Sequence, residues 1–335
     1  MQKRMQRIVA TVACCVAMLG SPIATAGFTE LSVYGDSLSD SGNVFALSGG
    51  TFPPPPYAQR LTNGPTAVEV MAANLGLPLT PSLLGGRNYA YGGAETGLGN
   101  YFRVSPDVPP AINALFSGVP PFPLTGTLAQ VQGFGGTISP EGLTVLWAGP
   151  NDFFTALVLG QNPALAIGPA LDNLSQSVGL LYAAGARTIL MPDMPNLGAT
   201  PFALSTGNAA GLTALTVAFN TFLDQMIDQL NLALPGLTII EFDTFGLLGS
   251  VIANPAAFGF TNVTDPCFNG IAVCANPDEY LFWDVVHPTA SAHRILGDAF
   301  TSAVPEPATL ALVGFALAIC GVCRRPRRNQ ALAQA

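Results

Sequence analysis

Positive charge is scarce in this 335-residue chain: twelve lysines and arginines stand against twenty acids, and Lys3 is the single lysine. Seven of the twelve lie in the two end segments. Between residues 27 and 303 only Arg60, Arg87, Arg103, Arg187 and Arg294 remain, five against nineteen acids, a formal −14. Such a surface repels nucleic acid and anionic membrane surfaces, so neither is expected as a partner. Histidine is scarcer still, with His287 and His293 alone. Any chemistry that needs an imidazole base must use one of them. Of six cysteines, Cys14, Cys15, Cys320 and Cys323 fall in the end segments. Cys267 and Cys274 have no histidine near them in sequence and do not make a zinc site. No internal repeat is visible, and neither a metal nor a cofactor is expected.

The ends carry their own patterns. Residues 1–26 open with Lys3, Arg4 and Arg7, run apolar from Ile8 to Leu19 and close on Ala24-Thr25-Ala26. This is the order of a secretory signal cut after Ala26. At 304–335, Val304-Pro305-Glu306-Pro307 precedes an apolar run over 308–323 and then Arg324, Arg325, Arg327 and Arg328. The run is slightly short for a membrane span, and the arginines would hold its end in the cytoplasm. A plain anchor is one reading. The tail also resembles the PEP-CTERM sorting signals of Gram-negative bacteria. That resemblance implies a sorting protease of the exosortase type as partner, a transient or permanent membrane anchor, and export to the periplasm, cell surface or medium. In an exported protein Cys267 and Cys274, seven apart in a Pro/Asn/Gly loop, are expected to pair as a disulfide that fixes local shape.

The stretch 27–303 reads as one α/β domain, expected to be a monomer. Leu31–Tyr34, Leu143–Ala148, Thr188–Met191 and Thr238–Phe242 are short runs apolar on both faces, as strands covered by helices must be; Arg87–Ala90 is a weaker fifth. Helical patterns lie between them over Ala67–Leu75, Ala164–Ala184, Gly207–Leu234 and Thr289–Ala299. Alternation of this kind predicts a three-layer α/β/α domain on a parallel sheet of about five strands. Two stretches lack a period: the Gly/Pro loop Gly49–Pro56, and Tyr101–Gly136. Their aromatics, Phe45, Phe52, Tyr57, Phe102, Phe116, Phe122 and Phe134, suit either an apolar substrate or the core.

Four turns hold the chemistry. Tyr34-Gly35-Asp36-Ser37-Leu38 ends the first strand, where ligands of open parallel sheets sit, and Ser37 there is a candidate nucleophile. Alone, Ser37 or Ser39 could equally cap a helix. His287 lies three residues after Asp284 and just before Pro288, so one turn can hold the carboxylate against the ring. His293 falls inside the last helix and reads as a surface or packing residue. Gly149-Pro150-Asn151-Asp152 follows the strongest strand, and an amide there can donate to an oxyanion. Asn88-Tyr89-Ala90-Tyr91-Gly92-Gly93-Ala94 follows the weak strand, with glycine allowing a backbone N–H to approach a ligand.

In order these blocks read GDSL, NYAYGGA, GPND and DVVH, and together they resemble the SGNH, or GDSL, esterase and lipase superfamily. Leu61-Thr62-Asn63-Gly64-Pro65, Pro192–Pro201 and the cysteine pair before Tyr280-Leu281-Phe282-Trp283-Asp284 resemble it too, so the likeness covers about 29–302. It implies a flavodoxin-like SGNH hydrolase fold and cleavage of a small-molecule, lipid or glycan ester. It also implies roles: Ser37 as nucleophile, His287 as base, Asp284 orienting His287, and an oxyanion hole from Ser37 N–H, Gly93 N–H and Asn151. Gly93 is preferred over Gly92 because the family donor directly precedes the position held here by Ala94. Asp36 and Asp40 read as turn and capping residues. Position 39 is serine, so the common Gly-x-Ser-x-Gly elbow does not apply. Two other functions fit the tail and the acidic surface: a polysaccharide O-acetyl esterase, and a non-catalytic surface or matrix protein on a hydrolase fold.

Overall fold

Four short strands carry the domain, three of them buried almost throughout and the last, at the sheet's edge, partly exposed. β1 (Leu31–Gly35), β2 (Leu143–Trp147), β3 (Thr188–Pro192) and β4 (Thr238–Phe242) lie side by side in that order. All three pairings are parallel, with Leu31 opposite Leu143 and Thr188 opposite both Leu143 and Thr238. The structure is a computed structural model that describes residues 27–102 and 125–305. The expected signal 1–26, the apolar run 308–323 with its arginines, Arg103, Phe116 and Phe122 lie outside the described residues. Residues 28–305 form one unit. Among the described residues no helix is long and apolar enough to cross a membrane.

The helices, in chain order, are α1 (Asn43–Leu47), α2 (Ala67–Asn74), α3 (Thr127–Gly133), α4 (Pro150–Val158), α5 (Ile167–Ala183), α6 (Pro201–Ser205), α7 (Ala209–Ala233), α8 (Thr244–Ala253) and α9 (Ala290–Ala303). Strand side chains alternate between two cores, as a period of two requires. Tyr34, Leu146, Ile189 and Ile239 pack with Leu174, Val178 and Leu181 of α5 and Leu212 and Phe219 of α7. Val33, Val145, Trp147 and Leu190 pack with Val68 and Met71 of α2 and Phe300 of α9. One sheet between two helical layers is the three-layer α/β/α architecture. A smaller cluster joins Val251 of α8 to Leu281, Phe282 and Ala292, beside a separate parallel pair, β5 (Asn262–Pro266) and β6 (Tyr280–Phe282).

The main sheet has four strands where about five are expected. The fifth candidate is present as a single parallel bridge, Asn88 against Val33, on the outer edge of β1. It still follows β1 through backbone bonds, Val33 N–H to Arg87 O and Tyr89 and Tyr91 N–H to Val33 O and Gly35 O, while on its outer side Asn88 N–H bonds Thr80 O and Ala90 N–H bonds the Asn88 side chain. α6, α8, β5 and β6 have no counterpart in the sequence reading, and α3 lies within the stretch that lacked a period. Seven residues are too few to show one. α5 begins at Ile167 because Asn162 caps a separate 3-10 turn over Pro163–Ala166. His293 is a packing residue: it is buried between α9 and α2, where its Nδ1 accepts from Ala67 N–H at 3.2 Å. Burial pushes its pKa down to about 3, so the ring is neutral.

Candidate active site

Chain order reverses beside β1. The segment after it returns to its outer edge at Asn88, and the next full strand, β2, lies on its other side. In open α/β sheets the ligand crevice lies outside the strand ends at such a reversal. Three strand ends meet there, carrying Ser37 after β1, Gly92-Gly93 after the edge segment, and Asn151 after β2.

The turn that carries Ser37 is held by backbone acceptors and buried amides. At Gly35 a Cβ would stand 2.2 Å from Trp147 O, so only glycine lets β1 end this close to β2. Gln130 of α3 grips the same residue, accepting its N–H at 2.9 Å and donating to its carbonyl at 2.8 Å. Asp36 Oδ1 accepts from Leu38 N–H, and Asp36 O accepts from Ser39 and Asp40 N–H. The start of α1 is satisfied by Asp40, whose carboxylate accepts from Gly42, Asn43 and Val44 N–H. Ser37 and Ser39 therefore cap nothing there. Asp40 Oδ2 also accepts from Gly92 N–H at 2.8 Å, tying the Ser37 turn to the glycine turn. Asn88 donates to Ser39 O and Ser41 Oγ, and Asn43 donates to Asn88 O and Ala90 O. Both are fully buried. Each buried partner lost would cost about 1–3 kcal/mol, so the brace is stiff.

Ser37 Oγ lies 2.9 Å from His287 Nε2, and His287 Nδ1 lies 2.8 Å from Asp284 Oδ2. Asp284 Oδ1 accepts from Val286 and His287 N–H at 2.9 and 2.8 Å, so the tight turn before Pro288 aims the carboxylate. Thr62 Oγ1 donates to Pro288 O, and Ala290 N–H donates to Asn63 Oδ1. The Leu61–Pro65 block thus grips the turn that carries His287. The His287 and Asp284 side chains are 14% and 11% exposed, so water screens the pair little. Burial disfavours the charged ring, but the Asp284 carboxylate and its hydrogen bond outweigh it and raise the His287 pKa above the ordinary value. Burial likewise pushes Asp284 up, and the histidine with the backbone donors brings it below the usual carboxylate range. Asp36, behind Ser37, is pushed up to about 7 by burial.

The oxyanion candidates line the same cavity as Ser37, Asp284 and His287. Gly92 N–H is taken by Asp40, so Gly93 is the glycine of the pair whose N–H can serve. Gly93 sits at φ +77°, and a Cβ there would stand 2.5 Å from Asn100 Oδ1 and from the Phe102 ring. Asn151 Nδ2 donates to Ala94 O at 2.9 Å, which orients the amide and leaves its second hydrogen for a ligand. Cys267 and Cys274 are joined, with Cα atoms 4.8 Å apart. Backbone bonds from Cys267 to Phe282 O and from Phe268 to Trp283 O set this loop against the strand leading to Asp284.

The cavity measures about 510 Å³ and is mostly apolar, with Phe154, Phe202, Leu247 and Val251 contributing alongside the loop aromatics Phe52, Tyr57 and Phe102. Phe134 instead packs on Tyr34 and Tyr89, away from the site. The sequence reading missed the parts of α6 and α8 that line this cavity, and it missed Gln130 and the contact of Tyr57 Oη with Asp284 at 2.8 Å. With Tyr57 and Asp284 separated by 227 positions, their approach leaves no local trace.

The family of GDSL-like lipases/acylhydrolases matches residues 32–300, and the PEP-CTERM protein-sorting motif matches 303–328, which implies export and sorting to the cell surface. The chain is 24% identical to GDSL esterase/lipase 6 of Arabidopsis thaliana, over 85% of this chain and 90% of that protein. It is 29% identical to GDSL esterase/lipase At1g71691 of the same plant, over 79% of each. The family match spans the strand ends, the braced serine turn and the Asp284–His287 turn, and the chain belongs to the GDSL lipase/acylhydrolase family as an ester-bond hydrolase.

Proposed function

We propose that residues 27–303 form an exported serine esterase that cleaves carboxylic esters through an acyl-enzyme on Ser37, flanked by a signal over 1–26 and a sorting tail over 304–335. The observation that carries this reading is the unbroken chain Ser37 Oγ–His287 Nε2, His287 Nδ1–Asp284 Oδ2, at 2.9 and 2.8 Å. Ser37 Oγ attacks the ester carbonyl while His287 Nε2 takes its proton. Asp284 holds the ring and stabilises the imidazolium. The oxyanion is met by Ser37 N–H, Gly93 N–H and Asn151 Nδ2–H. When the tetrahedral intermediate collapses, His287 returns the proton to the leaving alcohol. Water activated by the same ring then hydrolyses the acyl-enzyme.

This scheme carries a pH dependence. The base must be neutral, and the His287 pKa stands above the ordinary 6.5. At pH 6.5 most of the free enzyme is therefore protonated and idle. A plot of kcat/KM from about pH 5 to 9 should rise through an inflection above 6.5. An inflection at or below 6.5 would contradict the Asp284–His287 coupling.

The apolar cavity favours acyl groups longer than acetyl and disfavours acetylated sugars, whose hydroxyls would lose water against it. Each added buried methylene contributes up to about 0.8 kcal/mol, roughly fourfold in kcat/KM. With p-nitrophenyl acetate, butyrate and octanoate, kcat/KM should climb from acetate to butyrate and beyond. A sharp maximum at acetate would favour an O-acetyl esterase. Absence of both turnover and a fluorophosphonate adduct on Ser37 would favour a non-catalytic surface protein.

A further inference from the structure

The carboxylate of Asp284 receives a fourth donor from far along the chain. Its Oδ1 accepts two backbone N–H groups and its Oδ2 accepts His287 Nδ1–H. Tyr57 Oη then donates to the same Oδ2 at 2.8 Å. A carboxylate has about four acceptor sites, and here all are filled. The tyrosine is not free to leave. Its ring packs edge-on against Phe268 and Trp283, with centroids at 5.7 and 6.1 Å, and those two rings stack on each other. Phe268 is held by its backbone bond to Trp283 O and by its neighbour in the disulfide, Cys267. On the other side Ala58 N–H bonds Thr62 O, and Thr62 bonds Pro288 O. The proline-rich loop therefore closes a ring of contacts around the Asp284–His287 turn, and Tyr57 also lines the cavity.

We infer that Tyr57 is a positioning residue for the ester hydrolysis, fixing Asp284 through Oδ2 and tempering its pull on His287. The inference rests on the proposed triad. A phenol that shares Oδ2 disperses the charge that otherwise falls on the imidazolium, so it lowers the His287 pKa relative to the pair without it. The phenol stays protonated, because burial and the facing carboxylate raise its pKa. The other titratable groups facing His287 are Asp36, on the nucleophile turn, and His293, on α9. Neither contacts the Tyr57 hydroxyl, so its removal tests one interaction.

The variant is Tyr57→Phe, which keeps the ring between Phe268 and Trp283. With p-nitrophenyl butyrate, kcat should fall roughly 10-fold with KM nearly unchanged, since the lost interaction acts on the triad and not on substrate. The acid limb of kcat/KM should move up by about half a pH unit or more. Tyr57 acts through Asp284, so in an Asp284→Asn background the same change should alter the rate of fluorophosphonate labelling of Ser37 by less than about twofold. An acid limb that stays or moves to lower pH overturns the inference. Equal losses in both backgrounds also overturn it, since they would mean that Tyr57 serves packing alone. Should Tyr57→Phe fail to fold, 3-fluorotyrosine at position 57 gives the converse test: a stronger donor must move the limb down. Failure of the esterase reading itself is separately visible. A wild-type protein inert to ester and fluorophosphonate sinks that reading. The His287 ring titration, followed by NMR in a chain with only two histidines, still reads the Tyr57 effect, which must appear as a raised pKa in Tyr57→Phe.

Discussion

Ser37→Ala is expected to lower kcat on p-nitrophenyl butyrate by at least about 10⁴-fold and to abolish labelling by a fluorophosphonate. In the proposed scheme the oxygen removed is the atom that forms the acyl bond, and no other described serine lines the cavity. Ser39 is buried in the same turn, but its Oγ has no partner and it does not line the cavity. Stability should change little, because Ser37 Oγ bonds His287 and not the backbone brace. The brace runs through Asp36, Asp40, Asn43 and Asn88, all of which stay in place. A thermal melt within a few degrees of wild type, with the loss of turnover, separates chemistry from folding. Ser39→Ala is the matched control and should retain activity. Residual turnover above about 1% in Ser37→Ala would require another nucleophile, and the triad assignment would then fail.

Asn151→Ala should reduce kcat about 10²–10³-fold while KM moves little, the expected effect of losing one oxyanion donor. In the proposed oxyanion hole the amide acts mainly on charge that develops in the transition state, so ground-state binding would have little share in it. Its orientation is set before substrate arrives, by the bond from Nδ2 to Ala94 O. Losing that bond as well should cost about 1 kcal/mol of stability, measurable by denaturant unfolding and too small to explain the rate. Asn151→Asp provides the sharper comparison. It keeps the volume but places a carboxylate beside the developing oxyanion, so it should be slower than alanine. Equal kcat for wild type and Asn151→Ala would remove Asn151 from the hole and leave only backbone donors.

The parts legible in the sequence are those whose signal is local. Strands β1 to β3 could be found because a strand covered on both faces is mostly apolar along its length, and β4, partly exposed at the sheet's edge, because it keeps the β-rich core Ile239-Ile240. α2 and α7 could be found because each presents one periodic face to a core. The Asp284–His287 turn spans three residues, so its pairing follows from spacing and from Pro288. Elements without a strong local pattern stayed hidden. α8 is apolar almost throughout, since one side faces the cavity and another a small core, and it has no polar face to mark its period. The edge segment at Asn88 reads as a weak strand and lies along β1 through three backbone bonds, from Val33 N–H to Arg87 O and from Tyr89 and Tyr91 N–H to Val33 O and Gly35 O, but it makes only one bridge to β1 and is not a full strand.

The sequence by itself determined the chemistry available: one serine in a turn at a strand end, two histidines in all, an Asp three residues before one of them, and an amide after the next strand. Tertiary structure alone decided which of these meet. Ser37 and His287 are 250 positions apart yet 2.9 Å apart in space, because α9 packs on α2 and the Leu61–Pro65 block holds the Asp284–His287 turn beside Ser37, while the reversal of strand order beside β1 brings Gly93 and Asn151 to the same crevice. It also decided that His293 is neutral core, that Asp40 serves the helix start and Gly92 together, and that Tyr57 reaches Asp284. The physical reason is common to all of these. A hydrogen-bond partner is chosen by position in the packed fold, and such a contact leaves no period or composition in the chain that could announce it.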